Sequence, residues 1–174
     1  DQYGIYVMDE TNLESHGARG ISGQADWVPT QMNRVQRMVE RDKNYTSIIM
    51  WSLGNEAGPG AGPRAMYDWL HAHHADRPVH AEYSNATADV DSSMYAWPGW
   101  ISETARPSVL CEYTHAMGNS NGNLKEYWDH IYANDTHMGG YVWDWADQGI
   151  QQPVPEAFKQ NIGVGPVKEH CFAY

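Results

Sequence analysis

The run Ser47-Ile48-Ile49-Met50-Trp51-Ser52-Leu53 is nearly continuous in apolar residues. A strand with one wet face alternates apolar and polar residues. A continuous apolar run suits a strand buried on both faces, as in a parallel sheet covered by helices. Similar runs recur along the chain. Gly4 to Asp9 reads as a short buried strand, residues 10 to 29 as a polar loop, and residues 30 to 43 as a helix. Met32, Val35, Met38 and Val39 share one face of that helix. After the Ser47–Leu53 strand, Gly54 to Gly62 form a glycine-rich loop, and Pro63 suits the first turn of a helix reaching His74. Val79 to Glu82, Asp91 to Tyr95, Ser108 to Glu112 and Gly140 to Trp145 read as further strands, with a helix over residues 123 to 133.

Strands alternating with helices imply a parallel sheet joined by right-handed crossovers. Polar residues fall repeatedly at the C-terminal ends of these strands: Glu56, Tyr95, Glu112 and Trp143. A doubly wound sheet also binds ligands at strand C-termini, at one switch point. Chemistry drawn from many strands favours a (β/α)₈ barrel. Six strand units are legible where a closed barrel needs eight. The expectation is therefore an α/β fold, an incomplete TIM barrel. Residues 1 to 174 would hold about its last six strand–helix units, with the first two units and any flanking β domains upstream or absent. The tail from Gln151, with Pro153, Pro155 and Pro166, reads as a long final loop.

Composition narrows the partners. Lys plus Arg number 11 against 22 Asp plus Glu, a net charge of −11. That balance argues against nucleic acid and anionic membrane as partners. No stretch is long and apolar enough to span a bilayer. There are 8 Trp and 11 Tyr but only 2 Phe. Trp and Tyr combine a flat apolar face with a polar edge, which suits sugars as well as ordinary cores. Cys111 and Cys171 form no disulfide framework, and Cys111, inside an apolar run, reads as a small buried hydrophobe. His71, His73 and His74 read as a solvated helix face.

Two glutamates at one barrel mouth suit glycoside hydrolysis. One donates a proton to the leaving oxygen, and the other, ionised, attacks the anomeric carbon from about 5–5.5 Å away in retaining enzymes. Glu56 and Glu112 fit that pattern; surface carboxylates or helix caps fit it too. Glu14 and His16, two apart, could share a cation with Glu56, an oxygen-rich set that suits Mg²⁺ or Mn²⁺. A chance Glu-x-His pair in a loop reads the same way.

Four segments resemble glycoside hydrolase family 2 in its β-galactosidase branch: Asp9-Glu10-Thr11-Asn12-Leu13-Glu14-Ser15-His16-Gly17; Trp51-Ser52-Leu53-Gly54-Asn55-Glu56; Cys111 to Ser120; and Gly139 to Gln148. They occur in the family's order. The glucuronidase and mannosidase branches share Asn-Glu but lack this form of the Glu112 motif. The resemblance implies that Glu56 is the acid/base and Glu112 the nucleophile. It implies Glu14, His16 and Glu56 as magnesium ligands, and Tyr95 as the hydrogen-bond partner of the nucleophile. It implies that Asn55 contacts the sugar 2-hydroxyl, and that His115 and Trp143 contact the sugar ring. A sodium site is expected in the family but maps to no residue of this chain.

The resemblance implies hydrolysis of β-galactosides such as lactose through a covalent glycosyl-enzyme, with transglycosylation as a side path. It also implies a homo-oligomeric full-length protein and a cytoplasmic location. The acid/base role requires Glu56 to carry a proton, a state that nearby Glu112 favours and a metal ion opposes. Two other readings stay open: a carbohydrate-binding remnant that turns nothing over unless complemented by a second chain, and a metal-dependent hydrolase built on Glu14, His16 and Glu56. Trp97 and Trp100, in the short loop after Tyr95, could line an acceptor site or pack that loop.

Overall fold

The computed structural model describes residues 2–116, 120–146, 150–153 and 170–173. The chain divides into two compact units, Asp1–Trp143 and Asp144–Tyr174. The first holds β1 (Val7–Glu10), α1 (Val28–Asp42), β2 (Ile48–Ser52), α2 (Ala61–His73) and β3 (Val79–His80), followed by β4 (Asp91–Met94), β5 (Ser108–Tyr113), α3 (Leu124–Tyr132) and β6 (His137–Val142). The expected strands and helices are all present, with ends shifted by a few residues. The largest shifts are of three residues: β1 begins at Val7 rather than Gly4, and β6 at His137 rather than Gly140.

All six strands of this unit pair in parallel, as two three-stranded sheets ordered β1-β2-β3 and β4-β5-β6. The β3–β4 junction is held differently. The Asp89 carboxylate accepts the Val79 N–H at 2.8 Å, and the Asp89 N–H donates to the Val79 carbonyl, also at 2.8 Å. The buried His80 ring reaches Ser92 Oγ at 2.7 Å. Met50, Val90 and Val109 form a small apolar cluster that joins the two sheets.

Helix α1 forms where the sequence places it. Pro29 sits in its first turn, where a missing N–H costs nothing. Val35, Met38 and Val39 are buried, against β2 and α2. Burial of each such side chain contributes on the order of 1.5–3 kcal/mol. Gln31, a polar residue, is also buried on the same helix. Trp51, Leu53, Met66, Leu70 and Val79 complete this core. Around β5 a second core gathers Leu110, Tyr113 and Ile131, with Trp128 Nε1 donating to the Tyr113 hydroxyl at 3.0 Å. Trp100 packs here, so it serves the loop rather than an open surface, whereas Trp97 is exposed.

The connections from β3 to β4 and from β4 to β5 contain 3₁₀ segments, Asn85–Thr87 and Pro98–Glu103, where the connections β1 to β2, β2 to β3 and β5 to β6 carry α-helices. In the second unit, β7 (Ile150–Pro153) pairs antiparallel with β8 (His170–Ala173). The tail is therefore not all loop, as its prolines had suggested. Backbone pairing across some twenty residues outweighs the local turn signal, and Pro153 stands at the strand's end, where a missing donor is tolerated. Among the described residues no helix is long and apolar enough to cross a membrane.

Candidate active site

The C-terminal ends of β2 to β5 share an unusual backbone feature. Glu56, Tyr83, Tyr95 and Thr114 all have positive φ, at +44°, +56°, +51° and +50°. Each follows one of these four strands. A left-handed non-glycine residue costs roughly 1–2 kcal/mol. Such strain gathers where surrounding structure holds side chains in functional directions.

Glu56 is reached through Gly54, whose φ is +142°. A Cβ at Gly54 would lie 2.4 Å from the Leu13 carbonyl oxygen, so only glycine lets the two loops meet. There the Asn55 N–H donates to that carbonyl at 2.9 Å, and Glu14 and Asn55 form an isolated parallel bridge. This contact brings Glu14 and His16 to Glu56. One ligand atom from each of the three lies within 4.8 Å of the others. His16 Nδ1 touches Glu56 Oε2, and the Arg19 guanidinium lies 3.8 Å from Glu56 Oε1. Two carboxylates and an imidazole converging this closely fit a Mg²⁺- or Mn²⁺-type donor set whose remaining positions water would fill.

Glu112 lies near the end of β5. Tyr95 holds it twice: the phenol donates to Glu112 Oε2 at 2.5 Å, and the Tyr95 N–H donates to the Glu112 carbonyl at 2.8 Å. The His115 ring packs against Tyr95, with centroids 5.5 Å apart. Trp143 continues the ladder beyond β6, its N–H donating to the Tyr113 carbonyl at 3.0 Å. A cavity of about 420 Å³ opens among these strand ends, lined by Glu10, Glu14, Asn55, His80, Glu112 and Trp143, among others. Its size suits a small-molecule site. Glu56 is not in the lining; its carboxylate stands beside Glu14, which is. A larger cleft of about 730 Å³ against α1 shares only Glu10 with this site. Its size carries less weight than the convergence of groups in the smaller one.

Asn55 stands in the cavity wall, as a sugar-contacting residue would, and its side-chain amide also donates to Glu14 Oε1 at 3.4 Å. Several expectations need amendment. Cys111 is only half-buried and lines the cavity, so it is not a simple core hydrophobe. Desolvation pushes its thiol up to about 12, which keeps it an inert thiol. His71 pairs with Asp89 at 3.1 Å and His74 with Glu40 at 3.4 Å, so that helix face is bonded as well as wet. Met117, Gly118, Asn119, Asp147 and Gln148 lie outside the described residues.

The sequence reading assigned no role to two further carboxylates here. Glu82, just past β3, is 3% exposed and accepts the Glu56 N–H at 3.0 Å. Burial pushes its carboxyl up to about 8; Arg19 opposes the rise, and Glu112, Glu10 and Glu14 add to it. Glu10, at the end of β1, is raised chiefly by burial, and a hydrogen bond from Ser52 opposes the rise. Glu10, Glu14, Glu82 and Glu112 thus lie within one another's electrostatic reach. Beneath the cavity, the Ser52 hydroxyl donates to Glu10 Oε2 at 2.7 Å. Its oxygen must then accept from His80 Nδ1–H at 2.8 Å, which leaves His80 Nε2 to accept from Ser92 at 2.7 Å. Burial lowers His80 to about 4, in keeping with this neutral tautomer.

Comparison with known proteins bears on the same arrangement. A β-galactosidase of Photobacterium profundum is 46% identical over 175 aligned positions, covering 87% of this chain and 17% of that protein. A β-galactosidase of Lactococcus lactis is 40% identical over 191 positions, covering 95% of this chain and 19% of its own length. The chain thus spans about a sixth of these curated relatives. Among solved structures, a β-glucuronidase of an uncultured Clostridium superimposes with a TM-score of 0.61 at 18% identity, over 84% of this chain and 35% of that one. A galacturonate-bound GH2 β-galacturonidase of Eisenbergiella tayi gives 0.58 at 16%, over 93% and 36%. At such identities these two structures speak for the fold. The family model described as glycosyl hydrolases family 2, TIM barrel domain, matches residues 1–165. With six parallel strands whose C-terminal ends carry the converging carboxylates, this chain belongs to glycosyl hydrolase family 2, in its TIM barrel domain.

Proposed function

We propose that this chain carries the catalytic centre of a retaining β-galactosidase, with Glu112 as nucleophile and Glu56 as acid/base. The observation that carries the reading is two differently equipped glutamates at the C-terminal ends of parallel strands, Glu56 past β2 and Glu112 in β5. Glu112 is gripped by Tyr95, and Glu56 is grouped with Glu14 and His16. Identity of 40–46% to β-galactosidases supports galactose as the sugar.

The chemistry follows from those environments. A hydrogen bond from Tyr95 stabilises the Glu112 carboxylate and aims one oxygen. The other oxygen attacks the anomeric carbon as the C–O bond to the aglycone breaks. Glu56 delivers its proton to the departing oxygen, leaving a galactosyl ester on Glu112. Glu56, now a carboxylate, takes a proton from water, or from a second sugar, whose oxygen attacks the anomeric carbon as the bond from that carbon to the Glu112 oxygen breaks and frees the carboxylate. Trp143, in the cavity wall, offers an apolar face to the ring. Mg²⁺ or Mn²⁺ held by Glu14, His16 and Glu56 would supply fixed positive charge beside the acid/base.

The test is a panel of nitrophenyl β-glycosides with the complete polypeptide that carries this sequence. Galactoside turnover with accumulation of a galactosyl-enzyme is the expected result. Preference for the glucuronide, or inversion at the anomeric carbon, would refute the reading.

A further inference from the structure

Glu56 occupies a left-handed backbone conformation, with φ at +44°. Something must hold it there, because an L-residue with a free choice leaves that region. Its N–H is held by one side chain, Glu82, whose Oε2 accepts it at 3.0 Å. Glu82 is itself fixed. It is 3% exposed and lies two residues beyond β3, the strand paired in parallel with β2. The Leu53 N–H donates to the His80 carbonyl at 2.9 Å, carrying that pairing past the end of β2. The clamp is thus anchored to the neighbouring strand rather than to the loop it restrains. Arg19 braces the same corner, with its guanidinium 3.9 Å from the Tyr83 ring centroid and 3.8 Å from Glu56 Oε1.

We propose that Glu82 is a positioning residue for the acid/base: by accepting the Glu56 N–H it holds the left-handed turn that directs the Glu56 carboxylate to Glu14 and His16. The inference rests on the acid/base assignment of Glu56. Only an acceptor oxygen is required, so an amide can replace the carboxyl, and an apolar side chain of similar length cannot. Without the clamp the backbone relaxes and the carboxylate moves away from the leaving oxygen. Misplacement by about 1 Å costs on the order of 10²-fold in rate. The loss should fall on substrates that need a proton.

The experiment compares kcat/KM for aryl β-galactosides with good and poor leaving groups, in the complete polypeptide carrying Glu82→Met or Glu82→Gln. Glu82→Met should lose on the order of 10²-fold on poor leaving groups and only a few-fold on activated ones. Glu82→Gln should follow the wild-type profile. Equal losses across leaving groups in Glu82→Met reduce Glu82 to a packing role and overturn the proposal. So does a Glu82→Gln profile that falls on the order of 10²-fold on poor leaving groups relative to wild type, a comparison that still decides if Glu82→Met fails to fold. A wild type that cleaves no galactoside defeats the functional reading and this inference together. A wild type that does, with Glu82→Met parallel to it, defeats this inference alone.

Discussion

Tyr95 grips Glu112 at two points, through its phenol at 2.5 Å and its backbone N–H at 2.8 Å. The two grips can be separated. Tyr95→Phe removes the first and keeps the second, so the strand ends stay paired. A hydrogen bond to a charged group is worth about 1.5–3 kcal/mol, which corresponds to roughly 10- to 150-fold in rate. We expect kcat/KM for a β-galactoside to fall within that range while the melting temperature stays near wild type. A variant that melts early and loses activity in proportion would make Tyr95 a structural strut.

The two glutamates should fail differently. Glu112→Gln should abolish turnover of every β-galactoside, because no nucleophile remains. Glu56→Gln should fall hardest on poor leaving groups and spare activated aryl galactosides in part. Rates measured across leaving groups distinguish them, and the same loss on all substrates would count against Glu56 as the acid.

Glu14→Gln should weaken divalent-ion binding and lower kcat without eliminating it, since the ion assists Glu56 rather than replacing it. Chelation of the wild type should leave residual activity that Mg²⁺ or Mn²⁺ restores. Isothermal titration with either ion reads binding directly. Complete loss on chelation, reversed when the ion is returned, would favour a metal-dependent hydrolase instead.

His80 predicts a pH signature in stability. It is 1% exposed, and burial lowers it from the ordinary 6.5 to about 4. Between those values the unfolded chain binds the proton more readily than the native one. Its stabilising contribution is therefore intact above pH 6.5 and is lost as pH falls toward 4. At about 1.4 kcal/mol per unit, the shift is worth up to about 3 kcal/mol. Urea midpoints measured between pH 4 and 7 should slope less steeply in His80→Gln. An unchanged slope would assign the acid sensitivity to other groups.

The strands and helices were legible because periodicity and apolar runs are local. Glu112 and Tyr95 were legible for the same reason, each ending a recognisable strand. What escaped was non-local. Glu82 read only as the last residue of a short strand from Val79, with no role, whereas the strand ends at His80 and the fold buries Glu82 against the Glu56 backbone. Arg19 sits in a polar loop with no period to mark it. The side-chain stitching between β3 and β4 could not be read from either strand alone. The β7–β8 pairing was hidden by prolines that argue locally for a turn. The Glu14, His16 and Glu56 grouping was named from the sequence, but the Gly54 contact that lets their two loops touch is one no spacing rule displays.

The left-handed residues ending β2 and β4 set stability against chemistry. Glycine at position 56 or 95, or asparagine, would relieve the backbone and raise the melting temperature by a few degrees. Each replacement would also delete the very group the turn exists to present. A selection that rewarded heat resistance alone would therefore drift toward a sturdier barrel with an empty mouth.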